Sequence, residues 1–426
     1  MQSTGGVANR FAPLAARLER RLDGGLPFAV RFWDGSELRP DEPDGNRDTL
    51  VVRDSRALAY VATAPNQLGL GRAWVAGDLD LDGDLERALR AGQRFRDLRL
   101  GLGDRLGAAT AALREGALRL RRPDPPRSEA RVGGRLHSPR RDREAVRHHY
   151  DVSNEFYRLV LGPSMVYSCA YFASPHDSLE DAQGRKLDAI CRKLRLGAGE
   201  RLLDVGCGWG SLVLHAARRY GARAVGVTLS EPQAELARER IREAGLEHRC
   251  EVRVQDYREV DDGPYDKIAS VGMYEHVGAA RLDAYMRRLR ELARPGGLVL
   301  NHGIVRLAPG PRNRNTFIWR YVFPDGELHP VGRVVAALEG AGLELRDAES
   351  LREHYALTLR FWLANLAANR EDAIAAAGAE RERIWRLYMT GSALAFERGE
   401  ISVQQLLAAI PGAPAGLPLA RGSFTG

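Results

Sequence analysis

Three glycines separated by single residues, Gly206, Gly208 and Gly210, follow Asp204 in the stretch LLDVGCGWGSL. Glycine allows the backbone to approach a ligand closely and to take positive φ angles. A dinucleotide fold would carry G-x-G-x-x-G, which brings a pyrophosphate onto a helix N-terminus. Here the spacing is G-x-G-x-G, and an acid before the loop repels pyrophosphate but suits a cationic or zwitterionic ligand. The loop therefore favours S-adenosylmethionine, which carries an ammonium and a sulfonium.

Two further stretches carry groups that suit the rest of this cofactor. The strand RAVGV runs into Thr228 and Leu229, and Gln233 follows one turn later, where its amide can bind ribose hydroxyls. The stretch VQDYREV offers Asp256 to the adenine amino group and Tyr257 as a stacking surface. Each residue alone could cap a helix or fill the core. Together, after the glycine loop, they predict a cofactor site.

A second group of reactive side chains has no role that its sequence context alone can assign. Glu275 follows an apolar strand in SVGMYEHVG, where it could be a helix N-cap or an ion-pair partner. His302 alone would be a core histidine, and Tyr355 alone would be a packing residue. Cys169 could be a nucleophile, but nothing in the sequence marks a base for it, so inert packing or a backbone contact is the favoured interpretation.

The elements that would position these groups follow an α/β pattern from about residue 143 onward. Apolar stretches such as RLLDV, RAVGV and KIASV alternate with helical stretches such as PQAELARERIREAG. Such alternation predicts a parallel sheet wrapped by helices. The glycine loop and Glu275 each follow a predicted strand, and in such folds the ligand lies outside the carboxyl ends of the strands.

The chain before residue 143 has a different composition. Residues 1–120 predict a smaller α+β domain, which begins with a basic amphipathic helix over 7–22 that could lie on a membrane or pack on its own domain. Residues 121–142 are rich in Pro, Gly and Arg and predict an exposed linker, whose arginines could also contact phosphate head groups. Residues 143–426 form the predicted catalytic domain.

Composition narrows the class of protein. The 426 residues contain four cysteines without a CxxC pair, so neither a disulfide framework nor a metal site is predicted. The stretch LDLDGDLE starts like a calcium loop, but Leu89 stands where the closing glutamate should be. No secretory signal or transmembrane stretch is evident. The net charge of +7 suits polyanions, meaning nucleic acid or an anionic membrane, or it reflects an arginine-rich genome.

Nine motifs in register carry a family resemblance: HHYDVSNEFY, VYSCAYF, LLDVGCGWGSL, GVTLSEPQ, QDYRE, SVGMYEHVG, NHGI, FPDGELHP and HYALTLRFW. In this order they resemble the cyclopropane-fatty-acyl-phospholipid synthases, whose relatives are the mycolic acid cyclopropane synthases. The resemblance covers residues 145 to about 410, and the N-terminal third resembles the extra domain of the phospholipid-acting members. It implies a Rossmann-like methyltransferase domain with a mostly parallel, seven-stranded sheet flanked by helices.

The resemblance also implies roles for particular residues. Tyr167 and Ser168 would contact the methionine part of S-adenosylmethionine, and the other cofactor contacts would come from the glycine loop and the strands beside it. Those contacts are Gly206, Gly208, Thr228, Leu229, Gln233 and Tyr257. A bicarbonate ion would lie in a pocket formed by Cys169, Glu275, His302, Ile304 and Tyr355. Gly303 departs from many relatives, which carry threonine there.

The implied reaction transfers a methylene from S-adenosylmethionine to the cis double bond of an unsaturated phospholipid acyl chain. A carbocation would form, and bound bicarbonate would take its proton as the cyclopropane ring closes. The alternatives are 10-methyl or 10-methylene branching and small-molecule N-methylation. An NAD-dependent oxidoreductase is opposed by the loop spacing, and no nucleic-acid recognition motif is present. We expect a cytoplasmic protein, peripheral on the inner face of an anionic membrane, and the sequence leaves a homodimer open.

Overall fold

The computed structural model describes residues 2–22, 25–40, 48–95, 110, 123–150, 152–307 and 315–420. The chain divides into two compact units. The first unit comprises Met1–Ala130, Asn315–Val322 and Gly378–Leu394, and the second comprises Arg131–Arg314, Phe323–Ala377 and Ala395–Gly426. No helix in the described part of the chain is long and apolar enough to cross a membrane.

These boundaries differ from the sequence prediction of a continuous catalytic domain over 143–426. The segments Asn315–Val322 and Gly378–Leu394 belong to the first unit, although they lie far along the chain. Within that unit the Tyr321 hydroxyl donates to Glu129 Oε2 at 3.0 Å, and the Trp74 indole N–H donates to the Arg383 carbonyl at 2.9 Å. Such long-range contacts leave no mark in local composition, so the sequence could not reveal them.

The predicted linker over 121–142 is not uniformly exposed, which corrects the sequence interpretation. Residues 121 and 122 lie outside the described residues, but Glu129 and His137 are buried. Glu129 receives two hydrogen bonds from Arg72, each 2.7 Å long. Arg141, on the helix Pro139–Tyr150, donates to Asp325 at 2.5 and 2.8 Å. Charged residues are buried here because each of these two carboxylates is paired with an arginine.

The first unit contains a five-stranded sheet with the order β1-β3-β2-β4-β5. Its strands are β1 (Gln2–Ser3), β2 (Ala29–Arg31), β3 (Glu37–Arg39), β4 (Thr49–Val52) and β5 (Leu79–Asp82). Its helices are Gly6–Glu19, Arg56–Thr63, Gln67–Ala76, Leu85–Gly92 and the part of Ala379–Glu397 up to Leu394, with a 3-10 helix at Gln93–Phe95 and a π-helix at Ile318–Val322.

The N-terminal helix Gly6–Glu19 buries its apolar face within the first unit. Val7 and Ala8 belong to the core of this unit, and their backbone N–H groups donate to Asp34 Oδ2 and Ser36 Oγ at 2.8 and 2.9 Å. The two side chains satisfy N–H groups that the first helical turn leaves without partners. The alternative of a helix packed on its own domain therefore describes this segment.

The second unit contains a seven-stranded sheet with the order β11-β12-β10-β9-β6-β7-β8. Its strands are β6 (Arg201–Val205), β7 (Arg223–Thr228), β8 (Cys250–Val254), β9 (Tyr265–Val271), β10 (Ala293–Arg306), β11 (Glu344–Ser350) and β12 (Ile401–Ala409). Strand β12 is antiparallel to both of its neighbours, and the pairings from β10 through β8 are parallel. The predicted Rossmann-like methyltransferase fold is confirmed.

Helices surround this sheet, and buried clusters lie against it. They are Pro139–Tyr150, Asn154–Leu161, Leu179–Lys193, Ser211–Tyr220, Glu231–Glu243, Tyr274–Val277, Leu282–Leu292, Val331–Gly340, Arg352–Ala368 and Arg370–Ala377, with a 3-10 turn at Tyr257–Glu259. The carboxyl ends of β6, β7 and β9 meet at one edge, which is where ligands bind in such sheets. The sequence analysis did not identify strand β12.

Candidate functional site

The glycine loop begins directly after β6 and turns sharply over the edge of the sheet. Gly206, Gly208 and Gly210 have φ angles of 83°, 53° and 75°, a conformation that other L-residues adopt only at a cost. The backbone N–H groups of Gly206 and Cys207 both donate to the Val227 carbonyl, at 2.9 and 3.0 Å. The loop is thereby held beside β7. At Gly208, a Cβ atom would meet nothing closer than 4.0 Å, so its backbone is open to a ligand.

Asp204, which precedes this loop, and Lys186 are both buried, and the charge of each affects the pKa of the other. Burial raises the pKa of Asp204 to about 7, and the Lys186 charge opposes this shift. Burial lowers the pKa of Lys186 to about 8, while the nearby Cys169 and Asp204 act in the other direction. The Lys186 ammonium donates to Ser168 Oγ at 2.9 Å. Lys186 was missed by the sequence analysis, and it links two predicted cofactor residues, Asp204 and Ser168.

The predicted ribose contact, Gln233, lies beside the loop. Thr228 Oγ1 donates to Gln233 Oε1 at 2.8 Å, and both residues are buried. This bond fixes the orientation of the Gln233 amide. Its Nε2 lies 4.0 Å from the position that a Cβ atom on Gly208 would occupy. Leu229 lies partly exposed after β7. The amide N–H₂ is therefore free of the Thr228 contact and available to an acceptor over the loop.

The two residues predicted to recognise adenine differ in what they contact. Tyr257 packs edge-on against Tyr285, with ring centroids 5.4 Å apart, and is half-buried. Asp256 is buried, and Arg258 donates to both of its carboxylate oxygens, at 2.8 and 2.5 Å. Asp256 also caps the turn Tyr257–Glu259. An adenine contact from Asp256 would therefore have to share oxygens that already bind Arg258.

Glu275 lies where β9 ends and the backbone turns away from the sheet. The turn is made by Gly272 and Gly278, with φ angles of 67° and 76°. Because β9 stops at Val271, the N–H of Ile304 on β10 lacks a strand partner, and it donates instead to Glu275 Oε1 at 2.7 Å. The other oxygen, Oε2, is buried without a hydrogen-bond partner among the described residues. Burial raises the pKa of Glu275 to about 7.

His302 lies on β10, two residues before Ile304, and is 1% exposed. Its Nδ1 is 3.2 Å from Gln405 Nε2, and its Nε2 is buried with no partner in the described parts of the chain. Burial, with smaller effects of Lys186 and Lys193, lowers the pKa of His302 to about 3. The imidazole is therefore neutral at neutral pH. Glu275 and His302 thus each present one unpartnered polar atom near the same short stretch of β10.

Cys169 and Tyr355 both form a hydrogen bond with Leu351, the residue before the helix Arg352–Ala368. The Cys169 thiol is fully buried and donates to the carbonyls of Ala170 and Leu351, at 3.3 and 3.6 Å. Tyr355 N–H donates to the same Leu351 carbonyl. Burial raises the pKa of Cys169 far above its ordinary value, so the thiolate that a nucleophile requires does not form. Both hydrogen bonds of the thiol go to backbone carbonyls.

Aromatic rings cluster around Tyr167. The ring centroids of His149, Tyr157 and Trp362 lie 5.5, 5.8 and 5.2 Å from that of Tyr167. Its hydroxyl is 3.1 Å from His149 Nε2. Trp362 also packs edge-on against Tyr355, with centroids 6.0 Å apart. Through Trp362, the cluster connects the predicted cofactor residue Tyr167 with the predicted pocket residue Tyr355. In the sequence, Tyr167 and Tyr355 belong to separate motifs.

Phe317 and Trp319 belong to the first unit, where Phe317 stacks on Tyr321 at a centroid distance of 5.2 Å. Among the described residues, no group of three or more His, Cys, Asp or Glu side chains could hold a metal ion.

Comparisons with known proteins agree on one family. The family model described as mycolic acid cyclopropane synthetase matches residues 137–406. A probable fatty acid methyltransferase of Pseudomonas putida is 42% identical over 391 residues, which are 91% of this chain and 92% of that protein. The tuberculostearic acid methyltransferase of Mycobacterium tuberculosis is 34% identical, over 94% of this chain and 92% of that protein.

A solved structure gives the same result. The crystal structure of a mycolic acid cyclopropane synthase complexed with SAH and CTAB is 34% identical to this chain, with a TM-score of 0.60. The alignment covers 63% of this chain and 98% of that one.

Proposed function

We propose that this chain, which belongs to the mycolic acid cyclopropane synthetase family and is an S-adenosylmethionine-dependent methyltransferase, closes a cyclopropane ring on the acyl chains of phospholipids. The substrate would be the cis double bond of an unsaturated chain. The observation that carries the proposal is the pair of buried, unpartnered polar atoms, Glu275 Oε2 and His302 Nε2, beside the cofactor edge of the sheet. Burial of two such atoms costs free energy unless a ligand provides each with a hydrogen-bond partner.

The first chemical requirement is positioning. An alkene is a weak nucleophile that no base can activate, so the protein must hold it in line with the sulfonium methyl. Orientation of this kind is worth about 7–11 kcal/mol of barrier. Aromatic faces can stabilise the carbocation that follows, by about 0.5–2 kcal/mol each. The rings of Tyr167, Trp362 and Tyr355 are packed together in the second unit and supply such faces.

The second requirement is removal of a proton from the transferred carbon without access of water, because water would trap the cation as an alcohol. A carboxylate in direct contact with the cation would be alkylated. The unpartnered Glu275 Oε2 can accept a hydrogen bond, and the unpartnered His302 Nε2 can donate one if it carries the proton. Bicarbonate both donates and accepts hydrogen bonds, and we assign it to these two atoms for that reason. Bound there, bicarbonate would supply an exchangeable general base.

A second candidate product is a methyl-branched or methylene-branched chain. The names of the two relatives above, a fatty acid methyltransferase and a tuberculostearic acid methyltransferase, favour it. Both products begin with methyl transfer to the double bond. They differ in how the cation then reacts. Loss of a proton gives a ring or a methylene branch, and the same site residues support either, whereas a saturated methyl branch additionally needs a hydride donor.

Product analysis decides between these reactions. Purified protein and S-adenosylmethionine are incubated with vesicles of unsaturated phospholipid, with and without added bicarbonate. We expect acyl chains heavier by one CH₂ in mass spectra, and upfield proton signals of a cyclopropane ring in NMR spectra. Exomethylene signals in place of ring signals would establish methylene branching, and signals of a saturated methyl branch that appear only when a hydride donor such as NADPH is added would establish methyl branching. Unchanged acyl chains, with methylation of an added small amine, would refute both.

We further propose that the protein works as a peripheral protein at the cytoplasmic face of an anionic membrane. The chain carries a net charge of +7, and Arg10 and Arg20 are exposed along the N-terminal helix, whose apolar face is already buried. Docking would therefore rest on charge, at about 1 kcal/mol for each basic residue near the surface. Flotation with vesicles containing anionic lipid tests this proposal. Binding that does not weaken between 50 and 500 mM salt, roughly the range in which screening acts, would exclude it.

A further inference from the structure

A row of polar side chains crosses three neighbouring strands of the second unit and ends at His302. Strands β11, β12 and β10 are adjacent in the sheet. Gln405 on β12 is paired in register with Glu349 on β11 and with His302 on β10. Directly paired residues of antiparallel strands project their side chains to the same face. Lys193, the last residue of the helix Leu179–Lys193, reaches this row and is buried.

Hydrogen bonds connect the members of this row, and the ammonium of Lys193 fixes which atoms donate and which accept. The Lys193 ammonium donates to Gln405 Oε1 at 2.7 Å and to Glu349 Oε2, and it lies 3.8 Å from Asp347 Oδ2. The Tyr171 hydroxyl donates to the other oxygen of Glu349 at 3.0 Å. An ammonium group can only donate, and two carboxylates hold it in place. The carbonyl oxygen of Gln405 must therefore face Lys193, which leaves its N–H₂ group facing His302.

This orientation has a consequence for the imidazole. Gln405 Nε2 is 3.2 Å from His302 Nδ1, and a side-chain amide nitrogen only donates. His302 Nδ1 must accept that bond, so it cannot carry a proton. A neutral imidazole has one N–H, which must then be at Nε2, the atom without a partner in the described chain.

We propose that Gln405, oriented by Lys193, is a positioning residue that holds His302 in the tautomer with the proton on Nε2, so that this atom donates to a ligand oxygen. The inference rests on the proposed function for its ligand, an anion or a polar group at Glu275 and His302. Gln405 is fully buried, so no water competes for its amide. The burial that lowers the pKa of His302 to about 3 keeps the ring neutral. A neutral ring has a single proton, and Gln405 determines which nitrogen carries it.

The tautomer matters because the two nitrogens are not equivalent toward an anion. With the proton on Nε2, the ring offers a donor, and Glu275, which accepts from the Ile304 N–H two residues along β10, offers an acceptor. With the proton on Nδ1, the ring would present a lone pair at Nε2, and an oxyanion there would be repelled. A reversal of the tautomer would therefore disable ligand binding while leaving the fold and the glycine loop unchanged.

Substitution of Gln405 by glutamate tests this directly. The carboxylate of Gln405→Glu can accept bonds from both Lys193 and His302 Nδ1–H, which favours the opposite tautomer at nearly the same side-chain volume. Gln405→Met removes the amide without adding an acceptor. Lys193→Arg keeps a buried cation that donates, and serves as the conservative variant.

The primary measurement is the tautomer itself. Full-length protein labelled with ¹⁵N-histidine is studied by two-bond ¹H–¹⁵N correlation NMR at pH 7, and the signals of His302 are assigned by their loss in His302→Ala. We expect a protonated Nε2 in the wild type and in Lys193→Arg, and a protonated Nδ1 in Gln405→Glu. A wild-type His302 that carries its proton on Nδ1, or on both nitrogens, would overturn the inference.

The second measurement is turnover on unsaturated vesicles, together with the Kd of S-adenosylhomocysteine. We expect kcat to fall at least tenfold in Gln405→Glu and in Gln405→Met, with the Kd changed less than twofold and with activity retained in Lys193→Arg. A reversed tautomer with unchanged kcat would refute the positioning role. If instead the wild-type tautomer is as stated but His302→Ala retains full activity, the proposed function of the pocket fails, and the NMR result still stands for Gln405.

Discussion

Replacement of Glu275 by glutamine should make the protein more stable at alkaline pH and far less active. Glutamine has nearly the shape of glutamate, and its Oε1 can still accept the 2.7 Å hydrogen bond from the Ile304 N–H. What the substitution removes is the ionisable group, which is 8% exposed and has one oxygen without a partner among the described residues. The carboxylate is costly to bury and is expected to be needed by the reaction.

The magnitude follows from the pKa. Burial raises the pKa of Glu275 from an ordinary 4.5 to about 7, so the folded state holds more protons than the unfolded state between these values. Wild-type stability therefore falls as the pH rises from 4.5 to about 7, and it stays reduced above that range. One pKa unit corresponds to about 1.4 kcal/mol, so the total is about 3 kcal/mol. Glutamine does not titrate and escapes this loss.

The assay compares thermal unfolding of the wild type and Glu275→Gln from pH 4.5 to pH 8. At about 2 °C per kcal/mol for a chain of this size, the Tm difference should shift by about 6 °C in favour of the variant across this range. Turnover on unsaturated vesicles should fall roughly 100-fold or more, as is typical when a group that serves proton transfer is lost. The Kd of S-adenosylhomocysteine should stay within about twofold, because the glycine loop is unchanged.

A control and two contrary outcomes complete the test. Glu247→Gln, at an exposed position of the same unit, should leave both Tm and turnover as in the wild type at every pH. A Tm difference for Glu275→Gln that does not change with pH would show that the buried carboxyl titrates normally. Near-wild-type turnover would show that Glu275 only completes the hydrogen bonding of β10, and the proposed pocket would be wrong.

Three further substitutions test neighbouring features. His302→Ala should lower kcat roughly 100-fold, with the Kd of S-adenosylhomocysteine nearly unchanged in calorimetry, and equal kcat values would contradict the pocket. Gly303→Ala should lower the Tm, since a Cβ atom there would lie 2.5 Å from the Tyr274 ring and overpacking costs about 1–3 kcal/mol; an unchanged Tm would show that the ring moves freely. Arg141→Met should destabilise the fold by about 3 kcal/mol in urea unfolding, because it leaves buried Asp325 without its arginine, whereas Asp325→Asn in the same background should recover part of that loss.

The sequence alone determined the features that depend on local backbone preference and local periodicity. Glycines at 206, 208 and 210 predicted positive φ angles after a strand, and all three have them. Alternating apolar and helical stretches predicted the α/β sheet, and the family motifs were recognised in order. These features are readable because each depends on residues only a few positions apart, whose conformational preferences do not require knowledge of the rest of the chain.

Tertiary structure decided which atoms of those residues are available for chemistry. Glu275 Oε1 is used because β9 ends where β10 continues, and the state of His302 depends on Gln405, which lies 103 residues along the chain. The grouping of Gly378–Leu394 with the first unit is of the same kind. Strand pairing and burial join residues that are distant in sequence, and the cost of an unpartnered polar atom exists only once both have formed. For that reason the sequence could nominate Glu275 and His302, but only the folded chain shows one unpartnered atom on each.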